Sequence, residues 1–413
     1  MTPPPRTTHR DLATRLVHRL VAHVLRPANA AAFDRLVDAV RAEAGPPPDD
    51  LDPGRYVEAT RGCVTDLLVH EGSPAPDGPW AGPPGPSLVR RLLGEPGADD
   101  GAAPDGLDVD DAERALLAGW RSGGVHGFFL VTDVVDEHAV LHNLEDDLDY
   151  PVWTGRSQVP ASALAPDLPL AARVLPVGAG WIFAGTPDIY PPDDLANVVE
   201  GVVGLLAASP CPAYRNPARL ARARELVADH HRAFLDLFGD VVVEGTATHV
   251  IDAYLRFQER IGAPADEFAL LPSLRDVRRL PDDGTDPDDA AFALAHHPVK
   301  GLRLLDCYAQ LREVHTPPLA PWKPPRLAQV LADPDVPSWV LVLLAERYAD
   351  HLDALYGAAL DRPGLAWARD GAALLRDREP AATRDEPGLM MTSSIMGRVL
   401  PPGDEPADAL SRR

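Results

Sequence analysis

Lysine is nearly missing from this 413-residue chain: Lys300 and Lys323 are the only two, and arginine carries the rest of the positive charge. Isoleucine and asparagine are scarce too, while alanine, glycine and the 45 prolines abound. That is the bias of GC-rich codons, so a bacterial source is expected and many prolines report base composition rather than turns. The three cysteines, Cys63, Cys211 and Cys307, are too few and too far apart for a Cys-x-x-Cys zinc knuckle or a disulfide framework, which fits a reducing cytoplasm. Each is expected to be buried and inert. Long apolar runs are absent as well. "WVLVLLA", from Trp339 to Ala345, falls far short of the roughly 20 residues of a membrane span, and no N-terminal stretch resembles a signal peptide. A soluble cytoplasmic protein with no membrane role is expected. Basic residues number 39 against 62 acidic ones, a net charge of -23. Binding a phosphate backbone needs clustered positive charge, so nucleic acid is a disfavoured partner.

Motifs that carry known chemistries are also absent. Neither lysine sits in a glycine-rich phosphate loop. The string "GAGWIFAG" has its glycines at the wrong spacing for a dinucleotide fold and reads as a hairpin. "GPS" and "GRS" lack the closing glycine of a nucleophile elbow, and no HExxH metal helix occurs. These absences leave no catalytic and no cofactor-binding residue to assign.

What remains is a rich pattern of apolar periodicity, and at 45% hydrophobic the chain can bury sizeable cores. "HRDLATRLVHRLVAHVL" aligns Leu12, Leu16, Leu20 and Val24 on one helical stripe. The expected organisation is an N-terminal helical unit (1–72), a Pro/Gly-rich linker (73–110) with one short helix in "PSLVRRLLGE", a helix plus small barrel (111–190), a helical domain (191–378) and a flexible tail (379–413). In the helical domain, Asn216-Pro217 opens a helix that Gly239 closes, and another ends at Gly262. "KGLRLLDCYAQLREVH" and "PSWVLVLLAERYADHLDALYGAAL" each read as one helix. His230 and His231, about 100° apart on their helix, cannot easily chelate together and read as surface or interdomain residues. The tail segment "GLMMTSSIMGRVL" holds three of the four methionines and is expected to pack back on the body.

Phe128 to Gly155, "FFLVTDVVDEHAVLHNLEDDLDYPVWTG", is the densest stretch of polar and apolar residues together. Both faces of "FFLV" are apolar, "DEH" (136–138) reads as a turn, and "AVLHNL", "DYPVWTG", "LAARVLPV" and "GWIFAG" supply further strands. The fold class is therefore α+β: a small antiparallel β-barrel, SH3-like or OB-like, embedded in a mostly α-helical chain, with Trp153, Trp181, Phe128 and Phe129 in its core. His138 and His142 on one strand stand about 13 Å apart, too far to share an ion. His142 with Glu145, Asp146 or Asp149 across a turn, joined by His126 from a neighbouring strand, remains an open set for a divalent metal.

The order of "DAERALLAGW", "FFLVTDVVDEHAVLHNL", "VWTG", "AARVLPVGAGWIFAG" and "AFLDLFGDVVVEG" resembles a group of poorly characterised bacterial proteins, some with a C-terminal SEC-C zinc motif. The resemblance covers about Pro84 to Gly262. It implies a non-catalytic or uncharacterised bacterial protein with a barrel in a helical frame. The cysteine-rich zinc motif itself is absent, so no functional residue carries over. The expected function is that of a cytoplasmic interaction or regulatory protein with a protein partner. The alternatives are a metal-assisted hydrolase built on the histidine and carboxylate set, and single-stranded nucleic-acid binding on the barrel.

Overall fold

The computed structural model describes residues 8–44, 53–71, 87–94, 107–154, 159–208, 210–262, 292–305, 308–333, 336–376, 378 and 385–389. They divide into two compact units, one running to Gly204 and the other from Leu205 onward.

Unit 1 opens with helices α1 (His9–Val24), α2 (Ala30–Ala44) and α3 (Pro53–Asp66). At the start of α1, Thr8 and Asp11 form a reciprocal capping box that pairs two amides a helix start otherwise leaves open. The helix buries Leu16, Leu20 and Val24, three of the four residues of the predicted stripe. Next comes α4 (Leu88–Leu93), the short helix expected in the linker. Gly94 ends it at φ 66°, a backbone conformation that a Cβ would strain. A second capping box, Asp110 with Glu113, starts α5 (Asp111–Gly123), and Arg19 of α1 reaches both Glu113 and the Asp108 carbonyl.

The strands β1 (Val125–Val135), β2 (His138–Asn143), β3 (Asp149–Trp153), β4 (Pro169–Val177) and β5 (Gly180–Phe183) pair in the order β1-β2-β3-β5-β4. Because β4 also pairs with β1 the sheet closes into a small barrel, and β6 (Asp188–Ile189) adds to β4. The expectation of a purely antiparallel barrel needs correction: β3 and β5 run parallel, with Val152 opposite Trp181. The β4–β5 hairpin places β5 between β4 and β3, pointing the same way as β3, and the barrel closes through that seam. A register shift between Val131 and Asp133 marks a bulge in β1, which pairs with β2 and with β4.

Phe129, Val131, Ala139, Leu141, Tyr150, Val152, Leu170 and Val174 fill the barrel. Burying a Phe or Leu side chain fully is worth about 1.5–3 kcal/mol, so this interior outweighs the polar turns around it. On the outer face of β4 and β5, Leu175, Val177 and Ile182 pack with Leu16 and Leu20 of α1 and with Leu117 and Trp120 of α5. That second contact explains why those strands are apolar on both faces. Three of the four aromatics expected in the core, Phe128, Trp153 and Trp181, are only half-buried. Trp153 lies on the outer face, where the Arg10 guanidinium sits 4.7 Å over the ring and His138 packs on it as well.

The division between units falls inside α6 (Leu195–Ala208). In unit 2, α7 (Pro217–Phe238) runs from its Asn216 cap to Gly239, and α8 (Ala247–Ile261) ends at Gly262, both as the sequence predicts. β7 (Val242–Gly245), β8 (Phe292–His297) and β9 (Gly301–Leu305) form a second, antiparallel sheet with β8 in the middle. This sheet overturns the single helix expected over 300–315, of which only α9 (Tyr308–His315) coils. The leucines of "GLRLL" fit a helix by spacing, but the edge of β8 offers them backbone pairing and burial instead. β8 is sandwiched. Phe292 and Leu294 meet Phe234, Val250 and Phe257 on one side, while Ala293 and Ala295 meet Leu311, Leu341 and Tyr356 on the other.

Helices α10 (Lys323–Ala332), α11 (Ser338–Arg347), α12 (Leu352–Ala359) and α13 (Trp367–Arg376) complete the unit. The long helix expected over 338–360 is broken at Tyr348, which lets α11 pack on α13 while α12 packs on α10. Among the described residues no helix is long and apolar enough to cross a membrane. The acidic stretch 281–289, Cys307 and the tail methionines lie outside the described residues. Residues 385–389 are described, and there the Tyr214 hydroxyl donates to the Leu389 carbonyl.

Candidate functional site

The β2–β3 hairpin brings some of the predicted metal set together and sends the rest elsewhere. His142 and Asp149 are cross-strand partners, and the imidazole bridges two carboxylates: Nδ1 lies 2.8 Å from Asp149 Oδ1 and Nε2 lies 3.0 Å from Asp147 Oδ1. Asp147 was not foreseen as a participant. It takes part because the turn puts it at φ 63°, folding its side chain back beside the strand it has left.

Glu145 and Asp146 are buried and serve the turn. The backbone N–H of Phe128 donates to the Glu145 carboxylate at 3.3 Å. Asp146 accepts from the Leu148 amide at 3.1 Å and from the Tyr150 hydroxyl at 2.7 Å. Asn143 completes the network, its side-chain oxygen accepting from the amides of Glu145 and Asp146. His126 does not join them. It sits on β1 opposite Arg173, whereas the β1 residue opposite His142 is Leu130, four positions further on and thus about 13 Å along the strand. Among the described residues, no three histidine, cysteine or carboxylate side chains are placed to hold one metal ion.

A second cluster lies in unit 2, where the sequence pointed to no site. A cavity of about 590 Å³ is walled by His231 of α7, His296, His297 and Lys300 at the β8–β9 turn, Trp339, Val342 and Leu343 of α11, and Ala373 and Arg376 of α13. Its volume falls within the range of small-molecule sites. His296 and His297 are neighbours on a strand and so face opposite ways. His296 enters the aromatic group of Phe234 and Phe257, with its Nδ1 3.3 Å from His231 Nδ1, while His297 packs against Trp339.

Burial holds the His296 imidazole down to about 4, with His231 and His230 adding to the effect. Burial, then the Lys300 ammonium, does the same to His297, also to about 4. Both rings are therefore neutral near pH 7. His297 Nδ1 accepts from the amides of Val299 and Lys300 at 3.1 and 3.0 Å, which assigns its proton to Nε2. The charged groups on the walls are Lys300 and Arg376 on one side of the balance and Glu346 on the other. Ser338 also lines the cavity, but among the described residues no hydrogen bond links it to an imidazole, so no nucleophile–base pair is assembled.

Another histidine of unit 2 is purely internal. His315 Nδ1 donates to the Leu311 carbonyl at 2.7 Å and Nε2 accepts from the Tyr356 hydroxyl at 2.8 Å. Its burial brings it to about 4 as well.

The cysteines differ from expectation. Cys63 is exposed and Cys211 is intermediate. Cys63 remains a poor nucleophile, because partial desolvation and the carboxylates of Asp66 and Asp188 push its thiol up. The unit 2 cavity was missed because "AFALAHHPVKGLRLL" was read partly as helix. Its signal is a continuous apolar run, a turn at "PVKG" and a second short run, the pattern of a hairpin with a buried strand. No family model, curated protein or solved structure matches the chain.

Proposed function

We propose that this chain is a non-catalytic regulatory or interaction protein of the bacterial cytoplasm, whose unit 2 cavity receives a small amphipathic anion. One observation carries the reading: the cavity combines an apolar wall, a tryptophan and neutral imidazoles with two cations in a chain of net charge -23. An apolar ligand body would lie against Trp339, Val342 and Leu343, and its carboxylate or phosphate would face Lys300 and Arg376. In this reading unit 1 serves a protein partner, and its barrel is OB-like rather than SH3-like. The strand order β1-β2-β3-β5-β4, closing on β1 through a parallel β3–β5 seam, supports that assignment. Kinship with the SEC-C-associated bacterial group is part of the same proposal.

The metal-assisted hydrolase reading is disfavoured by the commitment of Glu145 and Asp146 to the hairpin network. Titration calorimetry with aryl- and alkyl-carboxylates and their phosphates tests the proposal. Saturable binding, weakened at least about tenfold by Arg376→Glu or Trp339→Ala, is the expected result. Steady turnover in an unbiased hydrolase screen, or stoichiometric metal in protein purified without affinity nickel, would overturn the non-catalytic reading.

A further inference from the structure

A second concavity of unit 2 has a different chemistry. It is a shallow cleft of about 480 Å³ over α9 and α10, walled by the polar side chains of Gln310, Glu313, Arg326 and Gln329 and by apolar surface from Trp322, Val314 and Pro325. Gln310 and Glu313 stand three residues apart on α9, and Arg326 and Gln329 three apart on α10, so each helix turns an amide and a charged group towards the same space. At the cap of α10, Trp322 remains 47% exposed, among the most exposed large apolar side chains described. Its ring is held from one direction by Lys323, whose Nζ lies 5.6 Å from the ring centroid and donates to the Thr316 carbonyl.

The polar groups are pre-arranged. Arg326 donates to the Gln329 side-chain oxygen at 2.9 Å and to that of Gln310 at 2.5 Å. A guanidinium has no acceptor, so each amide must turn its oxygen to Arg326, and the two NH₂ groups remain as donors at the cleft. Glu313 adds a carboxylate acceptor. The site therefore offers a flat aromatic face, two amide donor groups and one acceptor, with its cation already engaged by the amides.

We propose that this cleft binds a neutral pyranose sugar, stacked on Trp322 and hydrogen-bonded through its hydroxyls by Gln310, Gln329 and Glu313. A pyranose ring has an apolar C–H face that complements the negative face of an indole, and its hydroxyls both donate and accept. An anionic ligand fits less well, because the Glu313 carboxylate would repel it and offsets the charge of Arg326, the cation on the cleft wall. A polyproline peptide fits less well too, since such segments dock in grooves lined by several aromatic rings, and this cleft has one. The site is separate from the cavity at Trp339 and does not depend on it.

The test uses the full chain, with tryptophan fluorescence and saturation-transfer NMR against maltopentaose, cellopentaose, chitotriose and galactotetraose, and deca-proline as the peptide arm. Saturable binding of at least one oligosaccharide with a dissociation constant below about 1 mM is expected. Trp322→Ala should weaken that binding at least about tenfold, Trp322→Phe by less, and Gln310→Ala with Gln329→Ala by an amount between them. These side chains are exposed, so the urea midpoint of each variant should match that of the parent. The proposal is overturned if no sugar saturates up to about 10 mM, if deca-proline binds in their place, or if Trp322→Ala leaves the affinity unchanged.

Discussion

The β2–β3 hairpin of unit 1 and the histidine cavity of unit 2 use the same residue types for opposite ends. In the hairpin, the Asn143 side-chain oxygen and the carboxylates of Glu145 and Asp146 turn inward and accept from backbone amides and the Tyr150 hydroxyl, so those acceptors are spent in closing a turn. In the cavity, His231, His297, Lys300 and Arg376 border a space large enough for a ligand, and desolvation lowers the two imidazoles. A dense cluster of acids and histidines in sequence is therefore a weak guide to a site. What matters is whether partners for those groups are supplied by the chain itself.

Acid should separate the two regions most strongly. His296, His297 and His315 titrate near 6.5 when unfolded, and their folded rings resist protonation until about 4. The unfolded chain thus binds more protons across that window. Their contribution is fully present above about pH 6.5 and is lost as pH falls towards 4, up to about 3 kcal/mol for the fully buried His315 alone. Urea melts followed by unit-specific hydrogen exchange at pH 7 and pH 4.5 should show unit 2 weakening, and His315→Leu should flatten that dependence. Equal acid sensitivity of the core amides of both units would break the contrast.

Asp146→Ala should cost the barrel about 2–3 kcal/mol, because it leaves the buried Tyr150 hydroxyl and the Leu148 amide without that acceptor. The matching change in the cavity, His297→Ala, should cost less than about 1 kcal/mol while lowering ligand affinity, since its amide partners lie at an exposed turn. Urea denaturation of both variants gives the two numbers side by side. Gly127→Ala is expected to cost about 1–2 kcal/mol, since the new Cβ would lie 2.8 Å from Glu145 Oε1 and 2.9 Å from Asn143 Nδ2, on two buried side chains whose oxygens are tied to backbone amides. Arg10→Ala is expected to cost about 0.5–1 kcal/mol, from a half-exposed ion pair with Glu137 and the contact with Trp153.

Much of the local structure was legible in the chain. Asn216-Pro217 and Gly239 bounded α7 because caps and left-handed glycines act within a few residues, and the barrel strands were marked by their alternation around "DEH" and Gly178. The helix predicted across 300–315 failed for the reason those succeeded: spacing alone does not distinguish "GLRLL" as helix or strand when β8 is present to pair with it. The candidate metal set was half legible. Cross-strand register joined His142 to Asp149, but only the turn geometry showed Glu145 and Asp146 facing inward.

Composition and short-range pattern determined the helical frame and most of the barrel strands, because each depends on neighbours in sequence. The parallel β3–β5 seam, the second sheet and the meeting of His231 with His296 were decided by tertiary structure. Those features join residues dozens of positions apart. Pairing at such separation is set by which faces need cover and which edges need partners, and neither is written in any local window.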